Sequence, residues 1–291
     1  MTAAADPALP APPDDVPATL PDGVTTGQDE TQGQWQEALA VAVAAWLLFA
    51  AGDEDDKRRA RWGVAGLMGA LAYQVWEAVT AGDRLALTRL RADTNLMGEA
   101  LGDLIVMTAE DAARLVVAEA AAQGVRIPTG AVDRNALRDS GHFAAWTLAD
   151  VLRVSAVREA ARVWGPGVTA DAVAQAVADH LVSLTSAQPE LVLGAALTGG
   201  QAAGQEGTLL AGPRAEIFAV EVNDTRWCGP CSRIHGRWLG SSTDPARPWR
   251  ALYPVRGYVH CEGRDRCRGR IYGLWRDGTG YKEWLRRDDS R

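Results

Sequence analysis

Apolar residues at three- and four-residue steps, set among alanine-rich uncharged runs, fill most of the chain between residues 33 and 212. That spacing predicts helices. Ala38 to Ala51 is uncharged and contains Trp46-Leu47-Leu48-Phe49, and Gly63 to Trp76 is a second uncharged run. The charged stretch from Asp53 to Arg59 separates them, so the pair is expected to form a buried helical hairpin with a solvated turn. Both runs are shorter than the roughly 20 apolar residues of a spanning helix, and a membrane partner is not expected. Leu85, Leu87, Leu90, Leu96, Leu101 and Leu104 continue the pattern and predict one helix over 84–123, with Thr108 as an internal start and Gly124 as its stop. Pro128-Thr129-Gly130 reads as a connection. A helix over 145–164 is expected to end at Gly165-Pro166-Gly167, and Thr169 with Asp171 opens another, to Leu184. The last helix starts at Pro189 and carries Leu191, Leu193, Ala196 and Leu197. Gly199, Gly200 and Gly204 weaken its middle, which points to close packing or a kink.

After Gly212-Pro213 the pattern changes period. Glu216 to Val222 (EIFAVEV) is rich in β-branched and aromatic residues and reads as a strand, and Arg270 to Trp275 reads as a short closing strand. Five of the eleven tryptophans fall beyond residue 213, where a small unit needs large side chains to bury area. At the other end, Pro7, Pro10, Pro12, Pro13, Pro17 and Pro21 predict a disordered arm over 1–32. The expected fold class is α+β: a mostly α-helical body over 33–212 and a small, β-containing, cysteine-rich module over 213–291.

Charge sharpens this division. The formal net charge is −7, but residues 213–291 hold 16 Lys and Arg against 10 Asp and Glu, leaving 14 against 27 for the rest. A basic tail on an acidic body suggests units with different partners. All four cysteines, Cys228, Cys231, Cys261 and Cys267, lie in the tail, and no basic-then-apolar leader opens the chain. Clustered cysteines of this kind predict folding in a reducing cytoplasm, with metal or redox chemistry.

The cysteines form C-x2-C, a gap, then C-x5-C, and His260 directly precedes Cys261. The first pair sits in Trp227-Cys228-Gly229-Pro230-Cys231, the active-site string of thioredoxins. A redox dithiol needs its first cysteine at a helix N-terminus, where the dipole favours the thiolate. Gly236, Gly240 and Ser241-Ser242 argue against a long helix after Cys231, and only 60 residues follow it. Zinc instead takes four ligands, two from each of two short-spaced pairs. Cys228, Cys231, Cys261 and Cys267 supply that set, with His260 an alternative to Cys261, and free thiols or local disulfides remain open. His142 and His180 have no matching ligand pattern and read as ordinary surface or core histidines. No nucleophile elbow, P-loop, H-E-x-x-H or dinucleotide fingerprint appears, so no enzyme is expected.

The tail resembles the C-terminal module of phage Mu F-like head morphogenesis proteins, the portal-associated minor capsid proteins. The resemblance rests on Glu221, Asp224, Thr225, Cys228, Cys231, Ile234, Gly236 and Arg237, then Tyr253-Pro254, Gly257-Tyr258-Val259-His260-Cys261, Cys267-Arg268-Gly269 and Trp275. It covers roughly residues 190 to 275, including a helix with Gln201 and Gly204, and is similar to the version in phages of actinobacteria. The usual closing His-Pro-x-Cys-Arg is altered here, which leaves His260 and Cys261 as alternative ligands. The resemblance implies a non-catalytic minor capsid protein in the virion, at the portal vertex inside the head, made in the host cytoplasm. Its partners would be the portal and the major capsid or scaffold proteins, with packaged DNA facing the arginines of the tail. The alternative is a thiol–disulfide oxidoreductase using Cys228 and Cys231.

Overall fold

The computed structural model describes residues 9, 11–21, 28–51, 66–184, 188–221, 228–254, 257–262 and 269–288. Among these, α1 (Gln28–Ala51), α2 (Gly66–Thr80), α3 (Asn95–Ala122), α4 (Arg134–Val163), α5 (Ala170–Ser183) and α6 (Gln188–Ala211) precede the first strand. Then follow β1 (Ala215–Val220), α7 (Gly229–Ile234), β2 (Trp238–Ser241), α8 (Trp249–Leu252), β3 (Arg270–Trp275) and α9 (Thr279–Asp288). The fold is α+β, mostly helical with a small C-terminal sheet. The charged stretch over 53–59 lies outside the described residues. No helix among those described is long and apolar enough to cross a membrane.

The chain divides into two compact units that are interleaved in sequence: residues 1–38, 105–134 and 197–291 form one, and residues 39–104 and 135–196 the other. The change from helix to strand still falls at residue 213, as the pattern predicts, while the unit boundaries cut through α1, α3 and α6.

In the unit of residues 39–104 and 135–196, helical where described, Ala72 of α2 packs on Ala174 and Ala178 of α5, with Trp76 alongside. The helix expected over 84–123 is broken. A 3-10 turn occupies Arg84–Arg89, capped by Asp83, whose carboxylate accepts from Leu85 and Ala86 N–H. The break is held by Gln74, whose amide donates to Arg91 O (2.9 Å) and accepts from Arg91 N–H (2.8 Å), satisfying backbone that leaves the helix. Leu85 and Leu96, part of the predicted stripe, are consequently exposed. The helix expected from residue 145 begins at Arg134. Its glycine, Gly141, lies against Gly102 of α3, where a Cβ would come within 2.2 Å of Gly102 N, so the crossing itself requires glycine. Thr169 caps α5 as predicted, accepting from Ala172 N–H at 3.2 Å.

In the other unit, α3 runs through Thr108, which is buried mid-helix and starts nothing. The α6 glycines mark close packing: a Cβ on Gly204 would stand 1.9 Å from Ala109 O, and one on Gly200 2.8 Å from Ile105 O. The sheet is antiparallel with order β2-β1-β3, and β2 was not foreseen, because Gly236 and Gly240 were weighed only against a long helix. Both glycines have positive φ, 74° and 142°, bending the chain into and through this four-residue strand. Central β1 is buried on both faces. Ala215, Ile217 and Ala219 face a core with Val116, Leu209, Leu239, Trp249 and Trp275, while Phe218 and Val220 face Trp238, Tyr272, Leu274 and Tyr281.

The expectation of a disordered arm over 1–32 is corrected for residues 11–21, which lie against this second face, and α1 already begins at Gln28. Val16 is buried there, and Asp15 pairs with Arg276. The prolines read as breakers of order instead frame a turn, closed by Val16 N–H on Pro13 O at 2.9 Å, and a short paired stretch at Ala18 to Leu20.

Gly204→Ala tests the α3–α6 crossing. In an open helix such a change gains up to about 1 kcal/mol; here it forces backbone apart and is expected to cost about 1–3 kcal/mol. Gly33→Ala in α1, where nothing lies within 4 Å of the added Cβ, should be neutral or stabilising. Urea unfolding of both variants checks the contrast.

Candidate metal centre

β1 delivers the chain toward the first cysteine pair. Glu221, just past the strand, is buried and its carboxylate accepts from Tyr253 Oη at 2.5 Å. The same carboxylate fills the place of a side chain at Gly269, where a Cβ would meet it at 2.1 Å. The Glu221 N–H donates to His235 Nδ1 (3.1 Å), which puts the proton of the neutral ring on Nε2. Burial lowers the His235 pKa and keeps it neutral. Glu221 therefore touches three loops that the sequence separates.

Cys228 is the N-cap residue of α7, and Pro230 sits in that helix's first turn, where no N–H is needed. The helix lasts six residues. It closes as Gly236 takes φ +74° and donates its N–H to Ala219 O at 2.8 Å, returning the chain to β1. The second half is a set of tight turns. Gly257, at φ +81°, donates to Pro254 O, Val259 donates to Leu252 O, and Cys261 donates to Tyr258 O. Tyr253 and Tyr258 stack at 5.5 Å and join Cys231, Cys261, Ile234 and Leu252 in one core cluster.

These turns bring Cys228, Cys231 and Cys261 together, with all three sulfur atoms within 4.8 Å of one another. Cys228 Sγ and Cys261 Sγ are 3.9 Å apart, and none of the three is in a disulfide. Four thiolates around zinc, each about 2.3 Å from the metal, have edges of about 3.8 Å. The spacing thus suits three corners of a metal tetrahedron. Cys231 and Cys261 are buried and Cys228 is half-buried. Burial alone would raise the Cys228 pKa, but hydrogen bonds from the backbone N–H groups of Cys231 and Glu262, and from the two neighbouring thiols, bring it below its ordinary value. An electron-rich sulfur that already accepts amide hydrogens is suited to ligate a cation.

His260, offered by sequence as an alternative ligand, is not in this group; it is half-buried and stands edge-on to Tyr258 at 5.5 Å between ring centres. Cys261 is the residue that the fold brings to the other thiols. Cys267 lies outside the described residues, as do Asp224, Thr225, Trp227 and Arg268. His142 and His180 belong to no metal-ligating group among the described residues.

Sequence reasoning missed two buried polar assemblies, which involve Arg270, Tyr272 and Glu216 on the second face of the sheet. Glu119 of α3 pairs with Arg270 of β3, both almost fully buried. Gln123, one turn on, donates to Tyr272 Oη (2.8 Å) and Gly273 O (3.0 Å) and accepts from Trp275 N–H (3.2 Å). Tyr272 is held protonated by burial and by the Glu119 charge. On the same face of the sheet, Glu216 is fully buried and accepts from Arg214 (3.0 Å), Arg276 (2.9 Å) and Trp238 Nε1 (3.0 Å). The available signal was the acidic residue at an inward position of a period-2 strand, which demands basic partners.

No family model, no curated protein and no solved structure matches this chain.

In metal-free, reduced protein, limited alkylation near neutral pH is expected to label Cys228 ahead of Cys231 and Cys261. It is the more exposed thiol and the one whose ionisation is favoured. Peptide mapping by mass spectrometry reads the order, and equal or inverted labelling would contradict the site geometry.

Proposed function

We propose that the chain is a non-enzymatic minor capsid protein of the phage Mu F-like head morphogenesis type, acting at the portal vertex, with a structural zinc in its C-terminal unit. Cys228, Cys231 and Cys261 would hold the ion, with Cys267 the fourth thiol available in sequence. A closed site of this kind supplies folding energy and no reaction, with apparent binding of about 10–16 kcal/mol in small zinc units.

The observation that carries the reading is where the residues of the family resemblance lie. Glu221, Ile234, Gly236, Tyr253, Gly257, Tyr258 and Gly269 are spread over about fifty positions, yet Ile234, Tyr253 and Tyr258 pack with the thiols, Gly236 and Gly257 bend the chain next to them, and Glu221 meets both Tyr253 and Gly269. That supports a single module in place of a chance C-x2-C.

Partners follow as part of the same proposal: the portal and the capsid or scaffold proteins. Packaged DNA is a weaker partner than the charge count suggests. Arg214, Arg270 and Arg276 pair with buried carboxylates, and Arg247 and Arg250 pair with Glu206, so part of the positive charge is neutralised within the unit.

One observation favours a second reading. Cys228 caps a helix and has a lowered pKa, as a redox dithiol requires. Against it, a third thiol shares the site and the helix ends after six residues.

The test is the distribution of full-length protein during phage growth. It is expected in purified heads and in pull-downs of the portal protein. Protein found only free in lysates, or full-length protein that reduces insulin with dithiothreitol above background, would overturn the proposal.

A further inference from the structure

The proline-rich segment against the sheet makes a specific set of contacts. Thr19 bridges antiparallel to Arg237 at the outer edge of β2. Leu20 N–H donates to Gly236 O at 2.7 Å, and Trp238 N–H donates to Ala18 O at 3.1 Å. Val16 is buried among Phe218, Val220, Trp238, Tyr272, Leu274 and Tyr281, and Leu20 and Trp284 pack beside it. Asp15 meets Arg276 through both carboxylate oxygens, and its carbonyl accepts from Tyr281 Oη.

Three features make this a recognition site and more than a covering. First, main-chain pairing to an exposed strand edge is the basis of β-strand addition, with side-chain pockets supplying selectivity. Second, Arg276 is fixed before the segment arrives, because its Nε is held by fully buried Glu216 at 2.9 Å, leaving the far side of the guanidinium for a carboxylate. Third, Pro13 and Pro17 fix φ on either side of the turn closed by Val16 N–H on Pro13 O (2.9 Å), which lowers the entropy lost on docking. Pro17 and Pro21 lack N–H groups, while the non-proline positions, Ala18 and Leu20, make the backbone bonds.

We propose that the groove between the outer edge of β2, β3 and α9 is a peptide-docking site, self-occupied by residues 13–20, for a segment that turns at a carboxylate next to a β-branched apolar residue and then pairs along the strand edge, with a second apolar residue four positions on. A partner carrying such a segment displaces the chain's own copy and gains the whole apolar face of the sheet. This site is independent of the metal reading, since none of its contacts involves a cysteine.

The experiment uses full-length protein bearing Val16→Asp, which disables its own segment, and a fluorescent peptide of residues 11–21. Full-length Asp15→Asn, altered at an exposed carboxylate, is the second host, and circular dichroism checks that each is folded. Anisotropy is expected to show saturable binding to either variant host, and weaker binding to the unaltered chain, whose own segment competes. A peptide carrying Val16→Asp should bind at least ~10-fold more weakly, and one carrying Asp15→Asn several-fold more weakly, as expected for a buried branched side chain and a guanidinium partner. Absence of binding to both folded hosts, or equal binding of the three peptides, would overturn the proposal.

Discussion

Convergence of three thiols is the constraint on which the C-terminal unit depends. The pieces that carry them are a six-residue helix and a series of glycine-bent turns, with few backbone bonds of their own. Such pieces lose conformational entropy on ordering and recover little of it through regular structure. Metal ligation at Cys228, Cys231 and Cys261 would offset that loss, and it would link the start of α7 to the turns over 257–262. The stacked Tyr253 and Tyr258 pack in one cluster with the cysteines, and Glu221 holds the Tyr253 hydroxyl. The sheet, the cysteine turns and the two tyrosines thus stand or fall together.

The sheet imposes the second constraint. Both faces of β1 are buried, so every polar group near it needs an internal partner. Glu216 obtains Arg214, Arg276 and Trp238, while Glu119 with Arg270, and Gln123 with Tyr272 and the β3 backbone, join α3 to the last strand. Removing one member of a buried pair typically costs 3–5 kcal/mol, roughly, because the other charge is stranded. The same network prepares Arg276 for Asp15, so stability of the sheet and docking of residues 13–20 share one guanidinium.

Much of this was legible in the residues. Helical periodicity, the Thr169 cap, the Gly165-Pro166-Gly167 stop and the closing strand over 270–275 follow local rules and appear where the pattern puts them. The short-spaced cysteines likewise announced their own proximity. What was not legible depends on contacts distant in sequence. The break at residues 90–94 is stabilised by Gln74, and β2 is shaped by glycines that read only as obstacles to a helix. The glycines of α6 hide a helix crossing that only Ala109 and Ile105 explain. The prolines near the start mimic disorder, yet their partner surface lies more than two hundred residues away, at Arg237 and Arg276.

Metal content of purified full-length protein, with thiol titration before and after chelation, tests the account most directly. About one zinc per chain, with cysteines shielded until the chelator is added, is the predicted result. Metal-free protein whose thiols all react at once, with secondary structure intact, would contradict it.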